Sequence, residues 1–220
     1  MKGLLVFDLD GVLVDVAASY RETIIRTIAH FTGRRVTRDY IQEMKNRGGF
    51  NDDFHLSHLV IREFGVEARY EDVVDYFQSV FLGKNNDGLI LQEQWFPRDG
   101  LLERLANNWR FAIFTGRTRG EARLTLDRFA PHLTFDPIIG NQEVENQKPA
   151  PDGLLRIRAA CRDCDLLYLG DNIDDGRSAR AAGVPFIGID AHGGDLARLF
   201  EAEGARAVIA SVNDLEACLP

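Results

Sequence analysis

From Pro97 onward, short apolar runs alternate with stretches of helical periodicity, and that alternation restricts the fold more than any other feature of the chain. Helical spacing over residues 98–107 leads into Phe111-Ala112-Ile113-Phe114, and over 121–129 into an apolar segment at 135–139. The step repeats from 152–161 into Leu166-Leu167-Tyr168-Leu169, from 176–182 into 185–189, and from a last helix into Ala207-Val208-Ile209. Strands apolar at successive positions are buried on both faces, so the pattern is that of a parallel sheet with helices on either side. Gly3-Leu4-Leu5-Val6-Phe7 is one more strand of this kind. The expected fold class is α/β, a doubly wound parallel sheet.

Between that first strand and the next lies far more chain than one crossover helix needs. Apolar residues recur at helical spacing over 16–32, ending at Gly33, and over 37–45, with Thr37 as N-cap. A polar, glycine-containing loop at 46–53 follows, then two further helical stretches at 54–64 and 70–82. Four helices in a row predict an inserted all-helical domain over 16–94, with a core built from residues 1–15 and 95–220.

At 220 residues, 45% hydrophobic and 27% charged, the chain is long enough to bury a substantial core and ordinary in composition. Its formal net charge of -8 argues against a nucleic-acid partner, whose binders present a basic stripe. A small phosphorylated molecule needs only one local cationic pocket. The first apolar run is short and broken by Asp8, so neither a signal peptide nor a membrane span is expected, and the expected compartment is the cytoplasm. Three cysteines, Cys161, Cys164 and Cys218, predict no disulfide framework; Cys161-x-x-Cys164 lacks a second pair for zinc and reads as an ordinary helix end. Nothing in the sequence fixes an oligomeric state.

Reactive side chains gather at the carboxyl ends of the strands, the edge at which open α/β sheets bind ligands. Asp8 and Asp10 follow the first strand. Side chains two apart in an extended segment point the same way, so both carboxylates can face one pocket, where they repel unless a cation lies between them. Mg²⁺, which takes one or two carboxylates plus phosphate oxygens, fits that place; the plain alternative is an Asp-Gly turn. Thr115-Gly116-Arg117 offers a hydroxyl and free N–H groups to an anion, or simply caps the next helix. Lys148, fixed by Pro149 ahead of a helix, is either a held cation that stabilises a nucleophile and a phosphoryl group or a solvated surface lysine. Asp171, Asp174 and Asp175 follow the strand that ends at Leu169. One acid suffices to cap a helix, and the economical reading is that Asp171 completes a Mg²⁺ site with Asp175 supporting it.

Together FDLDGVLVD at 7–15, FTGR at 114–117, QKPAPD around Lys148 and LGDNIDD at 169–175 resemble, in order and at strand ends, the four motifs of the haloacid dehalogenase superfamily. The resemblance covers residues 1–15 and 95–220, and the helical insert is similar to that superfamily's small C1-type cap. It implies a Rossmann-like core and Mg²⁺-dependent phosphatase chemistry on a small metabolite, through an aspartyl-phosphate. Asp8 would be the nucleophile, and Asp10 would protonate the leaving alkoxide and then activate water. Thr115, the Gly116 amide and Lys148 would bind the phosphoryl group, and Asp8, the Asp10 carbonyl and Asp171 would hold Mg²⁺. Dehalogenase members carry no acid at the second position, so Asp10 favours phosphoryl chemistry. A phosphomutase and a non-catalytic binding protein on the same fold stay open as alternatives, and the intact motif set argues against the second.

In that family the cap loop contacts the leaving group, a role that falls by analogy to residues 45–53. Lys45 and Arg47 would suit an acidic substrate, and Asn51, Asp52 and Asp53 hydroxyls or an amine; equally, Asp52 or Asp53 would serve as an N-cap. GGFNDDF at 48–54 resembles a subgroup associated with histidine-biosynthesis enzymes, which adds histidinol phosphate to phosphoglycolate and sugar phosphates as expected substrates. An imidazoleglycerol-phosphate dehydratase is not expected, because it needs clustered histidines for its metals. The five present, His30, His55, His58, His132 and His192, include no adjacent pair, and His55-x-x-His58 alone is a poor metal site.

Overall fold

The computed structural model describes residues 3–161, 164–191 and 193–219. The chain divides into two compact units, Met1–Val14 with Trp95–Pro220, and Asp15–Gln94. Strand β1 (Gly3–Phe7) opens the first and is buried at every residue, as an apolar run with no polar alternation must be. A short strand, β2 (Val14–Asp15), follows.

The second unit holds α1 (Tyr20–Thr32), α2 (Arg38–Arg47), α3 (Asp53–Glu63) and α4 (Tyr70–Phe81). Helix α1 begins four residues later than the periodicity predicts, because Asp15 Oδ1 accepts the Ala17 N–H at 2.8 Å and turns the chain first. It ends where predicted, at Gly33, whose φ of 68° lets its N–H reach Ala29 O. Thr37 caps α2 by accepting from the Tyr40 N–H. Four rings make the centre of this unit: Tyr20 lies 4.2 Å from Phe81 and 5.5 Å from Phe77, and Phe54 lies 4.9 Å from Phe77. Each such side chain, fully buried, contributes roughly 1.5–3 kcal/mol. A 3₁₀ turn at Leu89–Gln92 and a strand β3 (Gln94–Trp95), paired with β2, close the stretch where the sequence showed only a connecting segment.

The rest of the first unit runs α5 (Leu101–Ala106), β4 (Trp109–Phe114), α6 (Arg119–Phe129), β5 (Phe135–Ile139), α7 (Asp152–Ala160), β6 (Leu166–Gly170), α8 (Ile173–Ala182), β7 (Phe186–Ile189), α9 (Asp195–Ala202) and β8 (Ala207–Ile209). Six strands form a parallel sheet in the order β5-β4-β1-β6-β7-β8. From the centre the chain steps outward one way through β4 and β5 and the other way through β6, β7 and β8; right-handed crossovers then put helices on both faces. Leu4 and Val6 join Ala112, Phe114, Leu154, Tyr168 and Phe200 in one core cluster. Leu5 and Phe7 point to the opposite face and are just as buried, Phe7 meeting the Phe111 ring edge-on at 5.6 Å.

Register aligns the functional strand ends. Phe7 pairs with Ile113 on β4 and with Leu169 on β6, so the residues that follow all three strands emerge side by side. Helices of this unit also differ from expectation in where they start, α6 by two residues and α5 and α8 by three. Gly100, at φ 79°, holds α5 back to Leu101, and Asn172 caps α8 early, which brings Asp174 and Asp175 into its first turn. The cysteines also differ: Cys161 ends α7 but is joined to Cys164 in a local disulfide, a link the odd cysteine count did not suggest, while Cys218 is free. Among the described residues no helix is long and apolar enough to cross a membrane.

Candidate active site

Asp8 stands one residue beyond β1, 4% exposed, with its Oδ1 accepting the Leu9 N–H at 2.8 Å. Lys148, buried as deeply, places Nζ 3.1 Å from Asp8 Oδ1 and 2.7 Å from Asp175 Oδ1. The Phe114 and Tyr168 rings lie 4.8 and 5.5 Å from that ammonium and shield it from water. The surface-lysine alternative is therefore excluded. Asp175 has a full set of partners besides: Oδ1 accepts the Tyr168 hydroxyl at 2.6 Å, and Oδ2 accepts the Asn172 N–H at 3.0 Å in the capping box of α8.

Burial pushes the Asp8 carboxyl well above the ordinary carboxylate range; Lys148 opposes this, and the neighbouring Asp175, Asp171 and Asp10 add to it. Burial works against the Lys148 charge, yet Asp175 and Asp8 outweigh it and raise its pKa. Oxygens of Asp8, Asp171 and Asp175 lie within 4.8 Å of one another, the one group of metal-ligating type found among the described residues. Three carboxylates this close to a single ammonium leave negative charge in excess, and an all-oxygen donor set suits a hard divalent ion. The geometry thus fits a divalent metal. Gly11 is shaped to the same cluster: its φ of 71° favours glycine, and a Cβ there would overlap the Asp171 carboxylate.

At the end of β4, Thr115 is buried and its hydroxyl accepts the Arg117 N–H at 3.2 Å. It does not cap α6. That task belongs to Thr118, which makes a reciprocal capping box with Glu121. Thr115 and Gly116 remain at the turn between strand and helix, beside β1.

Asp10, like Asp175 with Tyr168, is tied by the structure to a residue left without a role by sequence reasoning, here Arg117. Its Oδ1 receives Arg117 Nε at 2.7 Å and lies 2.5 Å from Nη2, while Nη1 donates to Thr125 Oγ1 at 2.9 Å. The Arg117 side chain has no exposed surface. A signal was available: an arginine directly after an apolar strand and a Thr-Gly turn has little room to reach solvent, and a buried guanidinium requires a carboxylate.

In the helical unit, Lys45 Nζ pairs with Asp53 Oδ1 at 2.7 Å, and Asp52 caps α3 through the Phe54 and His55 N–H groups. Arg47 lies against the Met44 sulfur at 3.6 Å, and Asn51 is partly buried beside the cap. Lys45 and Asp52 thus have structural duties. The histidines are spread out: His30 stacks on Tyr76, His58 meets Ala68 O at 3.0 Å, and His132 meets Glu103 at 2.6 Å. His192 lies outside the described residues.

Comparison with known proteins gives a consistent picture. The family described as haloacid dehalogenase-like hydrolase matches residues 5–189. An imidazoleglycerol-phosphate dehydratase of Phytophthora nicotianae is 30% identical over 195 residues, which cover 84% of this chain but 42% of that protein. The chain therefore spans less than half of that relative. Among the described residues no histidine cluster accompanies the match, and the one metal-type group is made of aspartates. A phosphoglycolate phosphatase of Cereibacter sphaeroides is 27% identical over 187 residues, 82% of each chain. The crystal structure of a hydrolase from Pseudomonas syringae superimposes with a TM-score of 0.74 at 22% identity, over 98% of this chain and 96% of that one, a likeness of fold.

Proposed function

Because the chain belongs to the haloacid dehalogenase-like hydrolase family, we propose that it is a Mg²⁺-dependent phosphatase that cleaves a small phosphomonoester through an aspartyl-phosphate on Asp8. The observation that carries this reading is the buried Asp8 carboxylate held against Lys148 at 3.1 Å, with Asp171 and Asp175 around it. Such a carboxylate is desolvated and held in place, as a nucleophile toward phosphorus must be.

In the first step an Asp8 oxygen attacks phosphorus, the bond from phosphorus to the ester oxygen breaks, and Asp10 gives its proton to the departing alkoxide. In the second, Asp10 takes a proton from water, the resulting hydroxide attacks phosphorus, and the bond to Asp8 breaks. Phosphate leaves and both acids return to their starting states. Lys148 balances charge on Asp8 and on the phosphoryl oxygens throughout, and Thr115 with the Gly116 amide orients those oxygens. Asp8, Asp171 and the Asp10 carbonyl would hold Mg²⁺, with Asp175 behind them; when bound, the ion supplies Lewis-acid stabilisation of phosphoryl charge. The helical unit is, in this reading, the cap that selects the leaving group. Phosphoglycolate is the first substrate to try, on the likeness to a phosphatase of that name, followed by sugar phosphates and histidinol phosphate.

The test is phosphate release from that panel, with Mg²⁺ and with chelator, by the wild type and by Asp8→Asn. Mg²⁺-dependent release that the substitution abolishes is the expected result. An isomerised sugar phosphate in place of free phosphate would mean a mutase, and no turnover of any ester would overturn the enzyme.

A further inference from the structure

We propose that Arg117 is a positioning residue that pins the Asp10 carboxylate by one oxygen, leaving the other to serve the reacting ester and then water; this rests on the phosphatase reading. The guanidinium is fixed in its own plane by three contacts. Nε and Nη2 both meet Asp10 Oδ1, and Nη1 meets Thr125 Oγ1 on α6. Its backbone is fixed as well: the Arg117 N–H donates to Thr115 Oγ1, and its carbonyl accepts the Asn141 N–H at 2.9 Å. One residue thereby links the phosphate-binding turn after β4 to the acid–base group after β1.

Both Arg117 nitrogens go to the same carboxylate oxygen, rather than one to each as in a closed fork. Among the described residues the hydrogen bond to the Asp10 carboxylate goes to Oδ1 and none to Oδ2, and the Asp10 side chain keeps a quarter of its surface exposed while Arg117 keeps none. The arrangement is directional. Stability alone does not call for it, since an apolar pair of similar volume stabilises an interior equally well. Proton transfer does call for it: an acid that must meet an ester oxygen and then a water has to be held to within a fraction of an ångström.

The experiment compares Arg117→Met and Arg117→Lys, each in the wild type and in Asp10→Asn, on an alkyl phosphomonoester and on p-nitrophenyl phosphate, with thermal melts as the check on folding. Arg117→Met is expected to lower kcat on the alkyl ester about 10²-fold with KM nearly unchanged. Arg117→Lys, which keeps the charge and loses the fork, should recover part of that loss. The loss should be smaller on p-nitrophenyl phosphate, whose leaving group departs without a proton. In Asp10→Asn, Arg117→Met should change kcat by less than about threefold, because the two residues act as one. An equal loss in both backgrounds, a defect carried by KM, or a folded Arg117→Met with normal kcat would each overturn the role. If Arg117→Met does not melt cooperatively, Thr125→Val enters the same cycle. It leaves the ion pair but removes the hydroxyl that accepts from Nη1, and it should cost about fivefold in the wild type and nothing in Asp10→Asn; equal losses would again overturn the role. Asp8-dependent phosphate release by the wild type is read in the same assay. Normal turnover by the Arg117 variants beside that release defeats the positioning role alone, whereas its absence defeats the phosphatase reading.

Discussion

Lys148 Nζ and Asp8 Oδ1 meet at 3.1 Å with both side chains almost wholly out of solvent, and the same ammonium is shared with Asp175 at 2.7 Å. Lys148→Met would leave two buried carboxylates without a cation. We expect a loss of about 3–5 kcal/mol in chemical denaturation with chelator present, and loss of phosphate release beyond about 10²-fold. A stable, active Lys148→Met protein would remove the lysine from the site.

Tyr168 gives the site a pH signature in stability. Burial, and then the charges of Asp175 and Asp8, push its phenol well above the ordinary range. The folded protein keeps the proton where the unfolded chain releases it, so the native state binds more protons and stability falls as pH rises. The contribution is complete below about pH 10 and is lost above it. Lys148, also raised, loses its contribution in the same direction, in the wild type and in Tyr168→Phe alike. Urea midpoints between about pH 9 and 11 should therefore fall more steeply for the wild type than for Tyr168→Phe. Parallel curves would show that the phenol is not the group responsible.

Metal binding is measurable without turnover. Mg²⁺ at 100 times its dissociation constant should stabilise the protein by about 2.7 kcal/mol, and Asp171→Asn should abolish most of the gain. Gly11→Ala tests the shape of the same cluster: its positive φ costs a side chain roughly 1–2 kcal/mol, and the new methyl displaces Asp171. The melting temperature should drop and the Mg²⁺ response vanish. A normal response in Gly11→Ala would show that Asp171 is not needed where it stands.

Asp52 separates capping from substrate contact. Asp52→Ala removes the acceptor for two N–H groups at the start of α3 and should cost about 1 kcal/mol. If capping is its whole role, kcat and KM stay as they were at temperatures well below melting. A rise in KM beyond about tenfold, 1.4 kcal/mol in binding, would give the carboxylate a second task.

Much of this fold is written in local sequence. Leu4 to Phe7, Phe111 to Phe114 and Leu166 to Leu169 are apolar at every position, and only a strand buried on both sides uses such a run. Three of the four motif blocks are legible because each follows such a strand, whereas the block around Lys148 comes nine residues after the mixed strand Phe135–Ile139. What escaped was pairing across the fold. Arg117 reads as the tail of a Thr-Gly turn until Asp10 is brought beside it by the neighbouring strand. Tyr168 reads as one more core residue until its hydroxyl reaches Asp175. Thr115 reads as a cap for the next helix, and the structure gives that role to Thr118 instead. Cys161 and Cys164 read as a helix end for the same reason: a spacing of three says nothing about whether the sulfurs converge.

The position of β1 in the strand order also governs how the chain reaches its folded state. Leu5 pairs with Phe111 on one side and Leu167 on the other, and neither partner leaves the ribosome until the whole helical unit has been made. Loops of that length must close before any contact rewards them, so the sheet assembles late and slowly. The helical unit, complete within Asp15–Gln94, can collapse while an apolar strand with two open edges still waits. Gly3–Phe7, destined for the centre of the mature sheet, is thus an apolar strand with both edges unpaired during synthesis, and an aggregation hazard of the nascent chain.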